Sequence, residues 1–309
     1  MRIGDISWFD ERENLFNRNI IKLELSASCN ASCVFCHMFR DKRKSTGFMS
    51  FENLIDFIHV NGEYLQSSHF EIEPFFNGET LIHPRCLDMM EEIANANITL
   101  GELDTNFGMR INIPRLARLP LRRITVNIGG LDSYTNRLVM NTDLEQALNN
   151  VKALMEDRRR TFDVCMKMNP VRANIHQLGD MDSFVRNIHP ELHWKAQKTG
   201  LPVPTDLSHE ERAIFIRNVY TSERPDLFRF QLDGLGVDSV VPRNFRCLYM
   251  TPCVNSNGSV TLCAHDQLRH FNFGNAFHDH LEDIFASADY QLTMKMGRQR
   301  GLEICHGCN

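Results

Sequence analysis

Residues 20–36 read IIKLELSASCNASCVFC. The first half alternates apolar residues with Lys22 and Glu24, the period-two pattern of a strand, and it runs straight into a loop. That loop carries Cys29, Cys33 and Cys36 in the spacing C-x3-C-x2-C. Three thiolates on one tight loop suit a cubane iron–sulfur cluster, whose irons are held by cysteine sulfur. Three ligands leave one iron open, and an open iron chelates small molecules. The bare spacing also admits a zinc knuckle, or a four-cysteine electron-transfer cluster with a distant fourth ligand.

Outward from this strand the chain alternates. Strands are expected at 21–26, 70–76, 98–103, 123–128, 162–168 and 192–196, with helices at 51–65, 84–96, 114–119, 144–155 and 175–188. The first helix opens at Ser50, an N-cap serine. Strand and helix in turn argue for α/β architecture: βαβ units around a parallel sheet that curls into a full or partial barrel. The active site of such a barrel lies at the carboxyl ends of its strands.

The pattern changes after residue 199. Residues 200–245 are irregular, with LPVPTD, a helical stretch at 208–220 and the turn-rich QLDGLGVDSVVPR, and read as a bridge. Residues 246–309 hold five of the ten cysteines and read as a separate metal-bound module rather than another βα unit.

Bulk properties narrow the function. At 309 residues, 42% apolar and 24% charged, the chain has the profile of a packed globular protein. The net charge is -5, and the basic clusters Lys42-Arg43-Lys44 and Arg158-Arg159-Arg160 are short, so nucleic acid is not an expected partner. The N-terminus lacks a secretory apolar stretch and no run reaches the length of a membrane span, so no membrane is expected and a cytoplasmic place is. In that reducing setting, cysteine spacing is read as metal ligation before disulfides.

The C-x3-C-x-Phe-C loop, with the aromatic at Phe35, resembles the signature of the radical S-adenosylmethionine superfamily. The resemblance extends over most of residues 21–196 and implies a partial (βα)6 barrel. Asn77-Gly78-Glu79 ends the second strand and is similar to the G-G-E motif, with Asn for the first Gly; it implies that Glu79 receives the methionyl ammonium. Thr105-Asn106-Phe107-Gly108 is similar to the T-N-G motif. Asn127 stands where relatives often have a serine at the ribose, and Phe35 is implied to pack near the adenine. The segment DSYTNRLVMNTDLEQALNN follows the family pattern, except that Met140 replaces an arginine common in relatives.

In the tail, Cys305 and Cys308 form a C-x2-C pair, and Cys247 and Cys263 would complete four ligands. Spacing alone leaves zinc and a second iron–sulfur cluster open. The segment resembles the twitch or SPASM auxiliary-cluster module: Gly258 precedes Cys263 by five, Gly274-Asn275 gives a turn, and a helix is expected at 281–290. Too few cysteines remain for two auxiliary clusters, so the single-cluster form is expected. Cys253 is read as a packing cysteine, a ligand in place of Cys247, or a hydrogen-atom donor. Cys86 and Cys165 are read as core residues.

The resemblance therefore implies two [4Fe-4S] clusters, S-adenosyl-L-methionine, and an electron donor such as flavodoxin or ferredoxin. The implied activity is reductive cleavage of S-adenosylmethionine to a 5'-deoxyadenosyl radical, which takes a hydrogen atom from a small polar substrate of sugar, aminocyclitol or nucleoside type. The tail cluster would then accept an electron, giving dehydrogenation as in enzymes of the 2-deoxy-scyllo-inosamine dehydrogenase type. Epimerisation with a cysteine donor and peptide modification are the alternatives.

Overall fold

The computed structural model describes residues 19–36, 47–197, 216, 219–221, 231–233, 236–238, 250–264, 266, 269–299, 301, 302 and 305. Strands β1 (Asn19–Leu23), β2 (Phe70–Glu73), β3 (Thr99–Leu100), β4 (Glu102–Thr105), β5 (Arg123–Ile128), β6 (Asp163–Met168) and β7 (His193–Ala196) are parallel to the neighbours they pair with. The connections carry α1 (Phe51–Ser67), α2 (Cys86–Asn95), the one-turn α3 (Ile113–Leu116), α4 (Ser133–Met140), α5 (Leu144–Glu156) and α6 (Met181–Ile188). The α/β barrel wall read from the alternation is present.

Local chemistry explains the boundaries. Ser50 caps α1 by accepting from Asn53 N at 3.0 Å. Asp132 and Asp143 cap α4 and α5 in the same way, and α4 stops where Asn141 turns left-handed at φ 54°. The second strand ends at Glu73 rather than 76 because Pro74 offers no N–H to a ladder.

The third predicted strand is split at Gly101. Its N–H donates to Ile72 O at 2.9 Å, while its carbonyl accepts from Arg122 N at 3.1 Å. One residue thus hands the wall from β2 to β5 and joins two sheets into a continuous curve. A Cβ at Gly101 would lie 3.1 Å from Glu73 Cγ and 3.2 Å from Glu71 Oε2, so the inner side chains crowd against it.

In the bridge, β8 (Gln231–Asp233) and β9 (Gly236–Asp238) pair antiparallel, so part of the stretch read as irregular is a hairpin. The helix expected at 208–220 lies mostly outside the described residues. In the tail, β10 (Cys253–Val254) pairs antiparallel with β11 (Val260–Thr261) and parallel with β1, in the register Lys22 to Cys253. The tail adds no βα unit, yet it shares a sheet with the barrel. Helices α7 (Leu281–Ala286) and α8 (Ala288–Arg298) replace the single helix expected at 281–290. Ser287 breaks it: an extended residue whose hydroxyl accepts from Tyr290 N starts the second helix afresh.

The barrel wall has two unlike faces. Leu23, Leu25, Ile72, Leu103, Val126 and Met166 pack into the main apolar core. Alternation therefore turns Lys22, Glu73, Glu102, Asp104, Lys167 and Lys195 to the inner face. None of the helices among the described residues is long and apolar enough to cross a membrane.

Candidate functional site

The loop after β1 is fixed by its backbone. Ser32 N donates to Met140 O at 2.8 Å and Val34 N to Val139 O at 2.9 Å, so the end of α4 clamps the loop. The Ser26 hydroxyl donates to Ser28 O at 2.9 Å, and that carbonyl also accepts from Glu79 N at 2.8 Å. Cys29 is exposed, and Cys33 and Cys36 are half-buried. Phe35 is partly buried and packs against the main core.

The three thiols lie within electrostatic reach of one another. Burial, and then the neighbouring Cys36 and Cys29, push the Cys33 thiol well above its ordinary range. Three thiolates side by side repel unless cations stand between them, so this donor set fits a metal cluster. Among the described residues no three His, Cys, Asp or Glu side chains converge as ligands of a single ion. Cubane ligands each take a different iron, so such convergence is not required of them.

The motif after β2 packs against this loop. A Cβ on Gly78 would lie 2.2 Å from Ser26 O and 2.5 Å from Ser28 O, so no other residue fits without moving the cysteine loop. Asn77 is buried, and its Oδ1 has no hydrogen-bond partner among the described residues. Glu79 is buried and accepts four hydrogen bonds. Oε1 receives Leu81 N at 3.1 Å and the Thr105 hydroxyl at 2.8 Å; Oε2 receives Asn106 N at 2.7 Å and Asn106 Nδ2 at 2.8 Å. Burial nevertheless raises its pKa to about 7, and the charge of Asp104 adds to the rise.

A carboxylate held by four donors and still reluctant to ionise lacks a cation. An ammonium ion would meet that need, although Glu79 has no lone-pair position to spare. Asn106 Nδ2 is the donor able to yield, because it also reaches Asn30 Oδ1 on the cysteine loop at 2.8 Å. Where the T-N-G motif has glycine, Phe107 adopts a left-handed backbone, φ 53°, while fully buried. That conformation costs a non-glycine residue about 1 kcal/mol.

Asn127 lies on the inner face of β5 and donates through Nδ2 to Asp104 Oδ1 and, at 3.3 Å, to Thr105 O. Lys167 Nζ pairs with the other oxygen of Asp104, and Lys22 Nζ with Glu73 Oε2 at 2.7 Å. Burial lowers the pKa of Lys22, but the adjacent Glu73 outweighs it and the net shift is upward. Sequence reading missed Lys22, Asp104 and Lys167. The signal for them is a charge on the face opposite the apolar residues of β1, β4 and β6.

In the tail, Cys263 and Cys305 join a second small apolar cluster with Leu262, Tyr290 and Leu302. Cys247 and Cys308 lie outside the described residues. Gly258 at φ 87° allows the hairpin, since a Cβ there would meet Asn275 Oδ1 at 2.1 Å. Cys253 is fully buried and not at the loop cluster; its thiol, near Lys22 and Cys263, is pushed well up by burial. Cys86 is buried in the main core, whereas Cys165 is buried on the inner face beside Lys195 and Arg123. The tail is tied to β1 through Glu24, fully buried, whose Oε2 accepts from Arg269 Nη2 at 2.7 Å and Ser256 N at 3.0 Å.

Residues 247–309 match the SPASM family model, described as an iron–sulfur cluster-binding domain. No curated protein matches the chain by sequence. Several solved structures share its fold, among them these three. BtrN in complex with AdoMet and 2-DOIA superposes with a TM-score of 0.54 at 16% identity, over 94% of this chain and 93% of that one. Native anSMEcpe with bound AdoMet gives 0.62 at 14%, over 90% and 83%. Streptococcus suis SuiB bound to S-adenosylmethionine gives 0.62 at 12%, over 90% and 68%. The fold of this chain is thus that of radical S-adenosylmethionine enzymes with a C-terminal SPASM-type module.

Proposed function

We propose that the chain is a radical S-adenosylmethionine oxidoreductase acting on a small polar substrate, with net dehydrogenation as its reaction. The observation that carries this reading is the junction of the cysteine loop with Gly78 and Glu79: a thiol-rich loop packed directly against a buried carboxylate in need of a cation. In this reading Cys29, Cys33 and Cys36 hold the first cluster, and Cys247, Cys263, Cys305 and Cys308 hold the second. Together with S-adenosylmethionine the first cluster supplies one-electron cleavage of a sulfonium and abstraction of hydrogen from a C–H bond.

The chain's own groups hold and shield. Glu79 takes the methionyl ammonium once Asn106 Nδ2 turns to Asn30, a charge-assisted contact. Asn77 Oδ1 is a waiting acceptor for a cofactor donor. Phe35 lies at the adenine side and Asn127 at the ribose side, with Thr105 and Asn106 fixing Glu79. Of the tail thiols, Cys263 and Cys305 pack in a small apolar cluster, an environment suited to an electron-accepting cluster. Support for a small substrate comes from BtrN with 2-DOIA; SuiB bound to precursor peptide SuiA supports a peptide substrate instead. An external one-electron donor of flavodoxin or ferredoxin type completes the cycle.

Anaerobic reconstitution followed by strong reductant tests this reading. Wild type should release 5'-deoxyadenosine, and the variant with Cys29, Cys33 and Cys36 all changed to Ala should not. Equal release from both would end the proposal.

A second reading, epimerisation, is favoured by one observation: Cys253 is fully buried, its thiol pushed well up by burial, in register with Lys22 on the inner-face row. In that case product formed in deuterium oxide carries one deuterium, and Cys253→Ala abolishes product while cofactor cleavage continues. Unlabelled, oxidised product would leave dehydrogenation alone.

A further inference from the structure

The layer beneath Glu79 calls for a ligand. On the inner face, Lys22 pairs with Glu73, and Asp104 takes both Lys167 and Asn127. Barrel interiors are usually filled by branched aliphatic side chains. Replacing buried ion pairs by such residues is commonly neutral or stabilising, so stability does not account for these charges. Their side chains keep some contact with solvent, 16% for Lys22, 10% for Glu73, 19% for Asp104 and 9% for Lys167, and Asp104 is more open than Glu102 at 13%, two residues nearer the amino end of β4. The layer is therefore reachable from the carboxyl end, where Glu79 stands.

We propose that Lys22, Glu73, Asp104 and Lys167 form the floor of the substrate pocket, and that this floor takes a small phosphate-free polyol or amino-polyol. The inference rests on the radical-enzyme reading and deepens it. Charge sets the class: the two ammonium groups and two carboxylates sum to zero, and the adjoining cations Arg122, 3.6 Å from Glu73, and Lys195 are matched by Glu71 and Glu102, so a phosphate ester would be desolvated without a matching cation. Hydroxyl and amino groups suit such a floor, because vicinal groups donate to Glu73 or Asp104 and hydroxyls accept from an ammonium. Size follows from the strand. Asp104 and the Asn106 that binds Glu79 are two residues apart, a rise of about 7 Å, roughly the width of one sugar or cyclitol ring. Phe75, with the Lys22 ammonium 3.7 Å from its ring centroid, adds an apolar surface beside the floor.

The test uses the reconstituted full chain with S-adenosylmethionine and no reductant. Binding of myo-inositol, glucosamine and glucosamine 6-phosphate is measured by ligand-observed NMR. Glucosamine or inositol should bind, and the phosphate ester should bind about tenfold more weakly or not at all. Asp104→Asn should weaken glucosamine by about tenfold or more. Because that change strands Lys167, the double variant Asp104→Asn/Lys167→Met, which removes both charges, is measured beside it, with melting temperature as the check on folding. The inference is overturned if neither unphosphorylated probe binds wild type, if the phosphate ester binds as well, or if the folded double variant binds unchanged. Release of 5'-deoxyadenosine by wild type is measured separately; its absence would count against the radical reading, whereas its presence without probe binding would count against the floor alone.

Discussion

The two cysteine-bearing regions differ in what surrounds the sulfur. The loop at Cys29, Cys33 and Cys36 is exposed or half-buried, clamped by backbone bonds to α4 and placed against the buried Glu79. The described tail thiols, Cys263 and Cys305, sit instead among Leu262, Tyr290 and Leu302. One environment is lined by the polar groups of Glu79 and Asn106; the other is mainly apolar, with Cys263 buried and Cys305 half-buried. In the proposed function the loop carries the chemistry and the tail the electron storage, and both lie on the same wall, since β10 is hydrogen-bonded to β1.

The largest way to break the contrast is at the packing of the loop. Gly78→Ala puts a methyl group 2.2 Å from a backbone oxygen that cannot rotate away. It should abolish 5'-deoxyadenosine release and lower stability by about 2–3 kcal/mol in a denaturant titration, with the tail cluster still assembled. A variant of normal activity would show that the two loops are not held together as described.

The link between the regions comes next. Arg269→Met leaves Glu24, fully buried, without its cation and should destabilise the protein by about 3 kcal/mol. Paired with Glu24→Gln the loss should shrink, because the stranded charge is gone. If the double variant is no better than Arg269→Met, the tie is not electrostatic.

These tests depend on contacts that the sequence reveals unevenly. The strands were legible because alternation persists over several residues, and the motifs at Gly78 and Asn106 because they sit at strand ends. Alternation shows that Glu71 and Glu73 share a face but not which face is enclosed; only the register of β1, β2, β4 and β6 does that. Asp104 and Lys167 are far apart in the chain, and no local pattern pairs them. Strand β10 has two residues, too few for any period, so its place beside β1 had no signal. The break at Ser287 is hidden in the sequence because Leu281 to Tyr290 keeps a helical spacing through the capping serine.

A smaller effect concerns pH. The Glu79 pKa, about 7, lies above its unfolded value near 4.5, so the folded protein without ligand binds this proton more tightly. Its contribution is present in full below about pH 4.5 and is lost as pH rises to about 7, a fall of roughly 3 kcal/mol at most. Glu79→Gln should flatten that part of the stability profile. Binding of S-adenosylmethionine has the opposite slope, rising with pH until Glu79 is ionised near 7 and level above; in Glu79→Gln the rise should vanish. The same rise in both proteins would place the ammonium elsewhere. The smallest effect is Ser287→Ala, which removes the cap of α8 and should cost about 1 kcal/mol while leaving activity unchanged; a loss of activity would mean that α8 does more than support the tail.

The most direct test of the contrast is electron paramagnetic resonance of the reduced, reconstituted protein before and after S-adenosylmethionine is added. Two cluster signals are expected, of which one shifts on addition and is missing when Cys29, Cys33 and Cys36 are changed to Ala, while the other stays fixed in both samples. A shift in the signal that survives those changes, or no shift in either, would contradict the account.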